Sequence, residues 1–135
     1  MGFFSLFGQF RKKYGPELIV AAADRDFNIN TGFWTLSAGV TMAAGVVSFN
    51  TPTAYALYKL NVLAIGMKYE YTFTILNITS GGLRAACGST GAGTLRTAPG
   101  IYTEVVTATT ATIGIMANGA STVADIDNVS FRRKY

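Results

Sequence analysis

Hydrophobic and polar residues alternate with a period of two in the clearest stretch of the chain, KYEYTFTIL at positions 68–76. Its large apolar side chains occupy every second position: Tyr69, Tyr71, Phe73 and Ile75. This period predicts a β-strand with one buried face. Short apolar runs between turn residues predict further strands, at residues 17–21, 32–36, 45–49, 53–60, 82–88, 101–108, 111–117 and 125–131.

Turn residues separate these runs at short intervals. Glycine, proline, asparagine and serine cluster at residues 44–45, 50–52, 80–82, 91–93, 99–100 and 118–119. Many short strands, frequent turns and no long helical stripe after residue 16 predict an all-β protein. We expect an antiparallel β-sandwich of the jelly-roll type over residues 17–135.

Residues 1–16 follow a different period. Their large apolar residues recur every three or four positions, as on one face of an amphipathic helix: Phe3, Leu6, Phe7, Phe10 and Tyr14. Arg11, Lys12 and Lys13 complement the negative end of the helix dipole, and Gly15-Pro16 would end the helix. The pattern predicts a short N-terminal helix or arm ahead of the sandwich.

The order of charged and apolar residues in this arm argues against a secretory signal, and its length argues against a transmembrane span. The basic residues follow the apolar run, whereas a secretory signal has them before it. The run is also shorter than the about 20 apolar residues that span a bilayer. We therefore expect the stripe, with Phe4 beside it, to dock into another protein; lying on a membrane surface is the alternative.

The chain lacks residues on which many enzyme classes depend. The chain has 135 residues, 50% of them hydrophobic and 13% charged, with no histidine and one cysteine. A single thiol without histidine supports neither a zinc site nor a Cys/His nucleophile pair. No nucleophile elbow or phosphate-binding glycine motif is present. We predict a non-enzymatic protein.

The net charge of +4 is concentrated at the two ends. Clusters at 11–13 and 132–134 hold six of the eleven basic residues, while all seven acidic residues lie between them. Tails of this kind favour an acidic partner surface or solvated ends over nucleic acid. If the first and last strands are neighbours, both clusters meet at one pole of the sandwich.

Residues 17–131 resemble the carbohydrate-binding-module-like, galactose-binding-like β-sandwiches common in phage tail and other virion proteins. The segments that carry the resemblance are ELI (17–19), GFWTL (32–36), GVVSF (45–49), IGMKYEYTFTI (65–75), NITSGGLRAACG (77–88), PGIYTEVVTA (99–108) and IDNVSF (126–131). The most specific are Asp127-Asn128-Val129-Ser130 and the turn from Gly66 to Tyr69. The resemblance implies a jelly roll used for glycan binding, assembly or spacing.

Asp127 raises a separate question. Alternation along the closing strand places it on the side of Val129 and Phe131, which we expect to face the core. A carboxylate there needs partners, so we expect it to tether the last strand by accepting backbone N–H groups of the first loop. The resemblance implies calcium as the alternative, for which Asp24 and Asp26 would supply further ligands. No other cofactor is expected.

Exposed aromatic rings with polar neighbours are the chemistry of a sugar site. The candidate residues for glycan binding are Tyr55, Tyr58, Asn77, Arg84 and Tyr102. Packing in or near the core is the alternative for the tyrosines.

These observations lead to one functional hypothesis and two alternatives. The hypothesis is a structural protein of a phage or other virion, a decoration, fibre or tail-associated component assembled in the host cytoplasm. It would be present in many copies or as a homo-oligomer and would dock to capsid or tail proteins through residues 1–16. The alternatives are a carbohydrate-binding adhesion module and a peripheral membrane protein.

Overall fold

A computed structural model of the chain describes residues 13–52, 56–87 and 93–135. The strands within these ranges are β1 (Tyr14–Glu17), β2 (Thr35–Leu36), β3 (Val40–Ala43), β4 (Val46–Asn50), β5 (Leu57–Lys59), β6 (Lys68–Ser80), β7 (Leu83–Ala86), β8 (Gly100–Thr107), β9 (Ile113–Ala117) and β10 (Val123–Lys134). One short helix, α1 (Ala22–Arg25), lies between β1 and β2.

The strands form two antiparallel sheets. The first has six strands in the order β3-β4-β10-β6-β8, with β1 pairing to the end of β10 that β4 leaves free. The second has four strands in the order β2-β5-β9-β7. The predicted all-β sandwich is confirmed.

The core lies between the sheets and follows the predicted alternation. Along β6 the four apolar residues Tyr69, Tyr71, Phe73 and Ile75 are buried, while the intervening residues are partly exposed. The second sheet contributes buried residues such as Leu57 and Ile115 to the same core. Because each strand buries alternate side chains, the sequence period translates directly into a buried face.

The sequence pattern did not predict strand β3, although it predicted the turn at residues 44–45 that follows this strand. Ala43 pairs with Val46, so Ala44 and Gly45 alone connect β3 to β4. Both have positive φ angles, 52° and 80°, which is the backbone twist that tight two-residue hairpins require.

The predicted strand at 17–21 is wrong beyond its first residue. Ile19 is buried, but the strand ends at Glu17. The chain leaves the sheet after the Leu18 N–H donates to the Phe131 carbonyl at 2.9 Å. The Arg25 guanidinium donates hydrogen bonds to the carbonyls of Ile19 and Val20, at 2.6 and 2.9 Å. These carbonyls are therefore satisfied by a side chain instead of a neighbouring strand.

The apolar stripe of the predicted arm lies outside the described residues, apart from its last member. Tyr14 begins β1 instead of ending a helix, because it pairs with Lys134 across the sheet. Gly15 and Pro16, which we expected to stop a helix, belong to the same strand. Within the described ranges, no helix has the length and apolarity needed to cross a membrane.

The last strand contains a bulge that reverses the expected orientation of Asp127. Register shifts between Asp127 and Ser130, and Asn128 has a left-handed φ of 53°. One extra residue there changes the phase of alternation. Ile126 and Val129 both face the core, so Asp127 lies on the outward side of the sheet and the prediction of a core-facing carboxylate is wrong.

Candidate functional site

The pairing of β1 with β10 brings the two ends of the described chain together. Tyr14 lies opposite Lys134, and the backbone N–H of Tyr135 donates to the carbonyl of Lys13 at 2.9 Å. Lys13 therefore lies beside the cluster at residues 132–134. The predicted meeting of the two basic clusters at one pole is confirmed for Lys13; Arg11 and Lys12 lie outside the described residues.

A further cation completes this surface. Lys68 starts β6, and its neighbour Tyr69 pairs with Arg133 on β10. We refer to Lys13, Lys68, Arg132, Arg133 and Lys134 together as the basic pole.

Only part of the charge on the basic pole is paired. Arg132 lies 3.6 Å from the Glu70 carboxylate, and its guanidinium stacks 5.1 Å from the ring centre of Tyr14. Neither Lys13 nor Lys134 forms an ion pair within the described ranges. Exposed cations backed by aromatic rings are suited to an acidic partner surface.

Glu17 provides the tether that we expected from Asp127. Its Oε1 accepts hydrogen bonds from the backbone N–H groups of Phe131, at 2.9 Å, and Ile19, at 3.2 Å. Its Oε2 accepts from the Ser130 hydroxyl. Asp127 instead accepts from the adjacent backbone N–H. The last strand and the first are thus tied by a carboxylate on the first.

The carboxylates considered for calcium have other partners. Asp24, only 2% exposed, accepts from the backbone N–H and hydroxyl of Thr31 at 3.0 and 2.6 Å, and Asp26 accepts from Asn28. The Asp24 carbonyl also accepts from the Trp34 indole. Among the described residues, no three histidines, cysteines or carboxylates are grouped to hold a metal ion.

Two of the glycan candidates share the outward face of the four-stranded sheet. Tyr58 on β5 pairs with Gly114, and Arg84 on β7 pairs with Met116, two positions further along the same strand. Their chain neighbours Leu57 and Ala85 face the core. Only glycine fits at position 114, since a Cβ there would collide with the Leu57 carbonyl oxygen and lie 3.2 Å from the Tyr58 Cβ.

Arg84 has an unusual environment on this face. Its Nε is inaccessible to solvent and has no hydrogen-bond partner. Within the part of the chain that the structure describes, its guanidinium takes part in no ion pair, and the neighbouring Met116 is buried. A half-buried cation that forms no ion pair with the described residues can still bind an anionic or hydroxyl-rich ligand.

The other glycan candidates are elsewhere. Asn77 donates to Asp125 at 2.7 Å on the outward face of the six-stranded sheet. Tyr102 packs 5.8 Å from Phe73, and its hydroxyl donates to the carbonyl of Ala98 at 2.6 Å, which supports the packing alternative. Tyr55 lies outside the described residues.

A second polar cluster, centred on Glu104, was missed by sequence reasoning. Glu104 accepts from the Tyr71 hydroxyl, from the backbone N–H of Thr94 at 3.0 Å and from Arg96 at 3.3 Å. Burial alone would raise the pKa of Glu104, but hydrogen bonds from Tyr71 and Thr94 and the charge of Arg96 lower it below its usual value. Burial, and then the hydrogen bond to the same carboxylate, raise the pKa of Tyr71.

This cluster holds the two sheets together along one side of the sandwich. Arg96 pairs with Leu83 at the edge of β7, and Gly93 donates to the carbonyl of Ala85. Glu104 is on β8, the edge of the other sheet. No sequence pattern marked it, because its partners are brought together only by the packing of the sheets.

A shallow cavity of about 220 Å³ lies at the bulge of β10, lined by Arg25, Thr72, Asn128, Val129 and Ser130. Its one charged lining residue, Arg25, already holds two backbone carbonyls. Among the described residues, the basic pole and the outward face carrying Tyr58 and Arg84 are therefore the stronger candidates.

Comparison with models of known protein families gives no match, and comparison with curated proteins gives none either.

Proposed function

We propose that the chain is a non-enzymatic structural protein of a virion, in the first instance of a phage. In this proposal it docks to a capsid or tail through its N-terminal segment and the basic pole. The sandwich, a jelly roll, is the displayed body, and assembly takes place in the host cytoplasm. The observation that carries the proposal is the convergence of Lys13 with Arg132, Arg133 and Lys134.

The convergence supports docking because it places two kinds of contact together. Residues 1–12, with their aromatic stripe, are joined to the body at Lys13. Burial of a large apolar side chain contributes about 1.5 to 3 kcal/mol, so a few of them in a preformed groove make a strong anchor. The cations would steer and orient the contact, and repetition on a symmetric particle would add avidity.

The strand order supports the jelly-roll part of the proposal. The first and last strands are neighbours, and β10 occupies the middle of the six-stranded sheet between β4 and β6. In such an arrangement both ends of the domain lie in one sheet, which leaves the four-stranded sheet free to face away from a particle.

The test is incorporation into particles of three variants. The first lacks residues 2–12, the second replaces Phe3, Phe7 and Phe10 by Ser, and the third changes Arg132, Arg133 and Lys134 to Gln. Ile29→Ser and Ile65→Ser are matched controls, because both side chains are apolar and more than 60% exposed elsewhere. We expect the first two variants to be lost from particles, the third to incorporate less than wild type at low salt with the difference narrowing as salt rises, and the controls to incorporate normally.

Thermal unfolding of each variant shows whether the body is intact. Normal incorporation of the first two variants would refute the docking proposal. Loss of binding to anionic phospholipid vesicles, together with normal incorporation, would favour the peripheral membrane alternative instead.

A second candidate function is glycan binding, favoured by the shared outward face of Tyr58 and Arg84 and by the absence, among the described residues, of an ion-pair partner for Arg84. A guanidinium donates in pairs to carboxylates and vicinal hydroxyls, which suits an acidic saccharide. Binding to a glycan array that is lost in Arg84→Gln and retained in Arg132→Gln would support it. Binding that persists in Arg84→Gln would refute this assignment of the site.

A further inference from the structure

Among the described residues, strand β8 forms an edge of the six-stranded sheet that no other strand covers. Its eight residues, Gly100–Thr107, pair with β6 from Ile75 to Lys68, and no described strand lies on its other side. An antiparallel edge strand presents unpaired N–H and C=O groups to solvent, ready to pair with another chain.

The other sheet edges in the described ranges are short or covered. Strand β3 has four residues and β2 has two. The edge of β7 is covered by the segment around Arg96, and β1 contains Pro16 together with an irregular register. Strand β8 is therefore the long edge without a cover among the described residues.

The outward row of β8 lacks the features that usually protect an edge. Ile101, Thr103, Val105 and Thr107 are all uncharged and β-branched, and Ile101 is 75% exposed and Val105 38% exposed. The row contains neither lysine nor proline, which commonly block edge pairing. The inward charge of Glu104 is bound by Tyr71 and Arg96 of the same chain.

We propose that two copies of this chain pair antiparallel through β8 about a twofold axis, joining their six-stranded sheets. A second copy is favoured over an unrelated peptide because the strand is self-complementary about Thr103. With Thr103 opposite its own counterpart, Ile101 of each copy lies opposite Val105 of the other. The two most exposed apolar residues of the strand then cover each other.

Charge supports the same choice of surface. The net charge of +4 makes two copies repel, and most of it is concentrated at the ends of the chain. The outward row of β8 is uncharged, so two copies can approach there with little local repulsion. A stable interface buries at least about 1,200 Å², and pairing of one strand buries less, so we expect the dimer to be weak in solution.

This inference goes beyond the proposed docking function and does not depend on it. The test is sedimentation velocity of the full chain over a range of concentrations. We expect Ile101→Lys and Val105→Glu each to raise the dissociation constant at least tenfold. We expect the double variant I101K/V105E to recover the dimer, because each lysine then lies opposite a glutamate of the other copy. Ile65→Lys, a change at a similarly exposed residue outside the strands, is the control and should leave the constant unchanged.

Association that all of these variants leave unchanged would overturn the proposal, because it would arise elsewhere, for example from the N-terminal stripe. A double variant no tighter than either single one would overturn the register. A wild-type chain that stays monomeric up to about 1 mM would overturn the pairing itself.

Discussion

The Glu17 carboxylate accepts a hydrogen bond from the backbone N–H of Phe131 at 2.9 Å, across 114 positions of the chain. This bond joins the first strand to the last. It lies on the same strand as Tyr14, which pairs with Lys134 of the basic pole. A partly buried carboxylate therefore ties the first strand to the last beneath the proposed docking surface, and we expect its removal to destabilise the fold.

Replacement of Glu17 should destabilise the protein. A hydrogen bond to a charged group contributes about 1.5 to 3 kcal/mol, so we expect Glu17→Ala to lower the free energy of unfolding by about that amount. Glu17→Gln keeps one acceptor oxygen and should cost less. Chemical denaturation measures both, and Glu70→Gln, which removes a partly exposed ion pair to Arg132, should cost at most about 1 kcal/mol. Equal effects of Glu17→Ala and Glu70→Gln would contradict the tether.

The Glu104 cluster predicts a specific pH dependence of stability. Its hydrogen bonds and the Arg96 charge lower the pKa of Glu104 in the folded protein below the ordinary value of 4.5. A carboxyl with a lowered pKa stabilises the fold above its unfolded pKa, and this contribution is lost as the pH falls through the folded value. The stability difference between wild type and Glu104→Gln should therefore be constant near neutral pH and shrink in acid.

Urea denaturation of both proteins from neutral pH into acid measures this difference. A difference that keeps its size down to the lowest pH would contradict the assignment. Glu70→Gln serves as the comparison, since the Glu70 carboxylate forms one ion pair within the described part of the chain.

The bulge in β10 predicts opposite effects of two substitutions at Asn128. Its φ of 53° is left-handed, a region that glycine adopts freely and that costs other residues about 1 to 2 kcal/mol. Asparagine tolerates this region better than β-branched residues do. We expect Asn128→Gly to be as stable as wild type or more so, and Asn128→Val to lose about 1 kcal/mol or more in thermal unfolding. A valine variant of unchanged stability would contradict the bulge.

Cys87 should be unreactive in the folded protein. It is fully buried, and burial raises the pKa of its thiol from 9.0 to about 12. Because the thiolate is the nucleophile, its fraction near neutral pH falls by about a thousandfold. We expect no labelling by a disulfide reagent in buffer and complete labelling in guanidinium chloride. Rapid labelling of the native protein would show that the core at β7 is open.

The sequence allowed the fold class to be predicted because alternation with period two is local. The burial pattern of β6 follows directly from KYEYTFTIL. The turn at Ala44 and Gly45 was also visible, although the strand before it was not. Local pattern and local structure agree wherever a strand keeps its register.

The orientation of Asp127 was mispredicted because alternation assumes an unbroken strand. A single extra residue at Asn128 moves every following side chain to the opposite face, and that residue has no distinctive sequence mark. The same limit applies to the candidate sites. Tyr58 and Arg84 share a face only because β5 and β7 both pair with β9, a relationship between distant segments.

In the proposed function, the docking surface is the basic pole with the N-terminal segment joined to it. A cryo-EM reconstruction of particles assembled with this chain would show which surface of the sandwich the partner occupies. We expect partner density to contact Lys13, Arg132 and Lys134, and the face bearing Tyr58 and Arg84 to point to solvent. A basic pole exposed to solvent, with the partner seated on the four-stranded sheet, would contradict it.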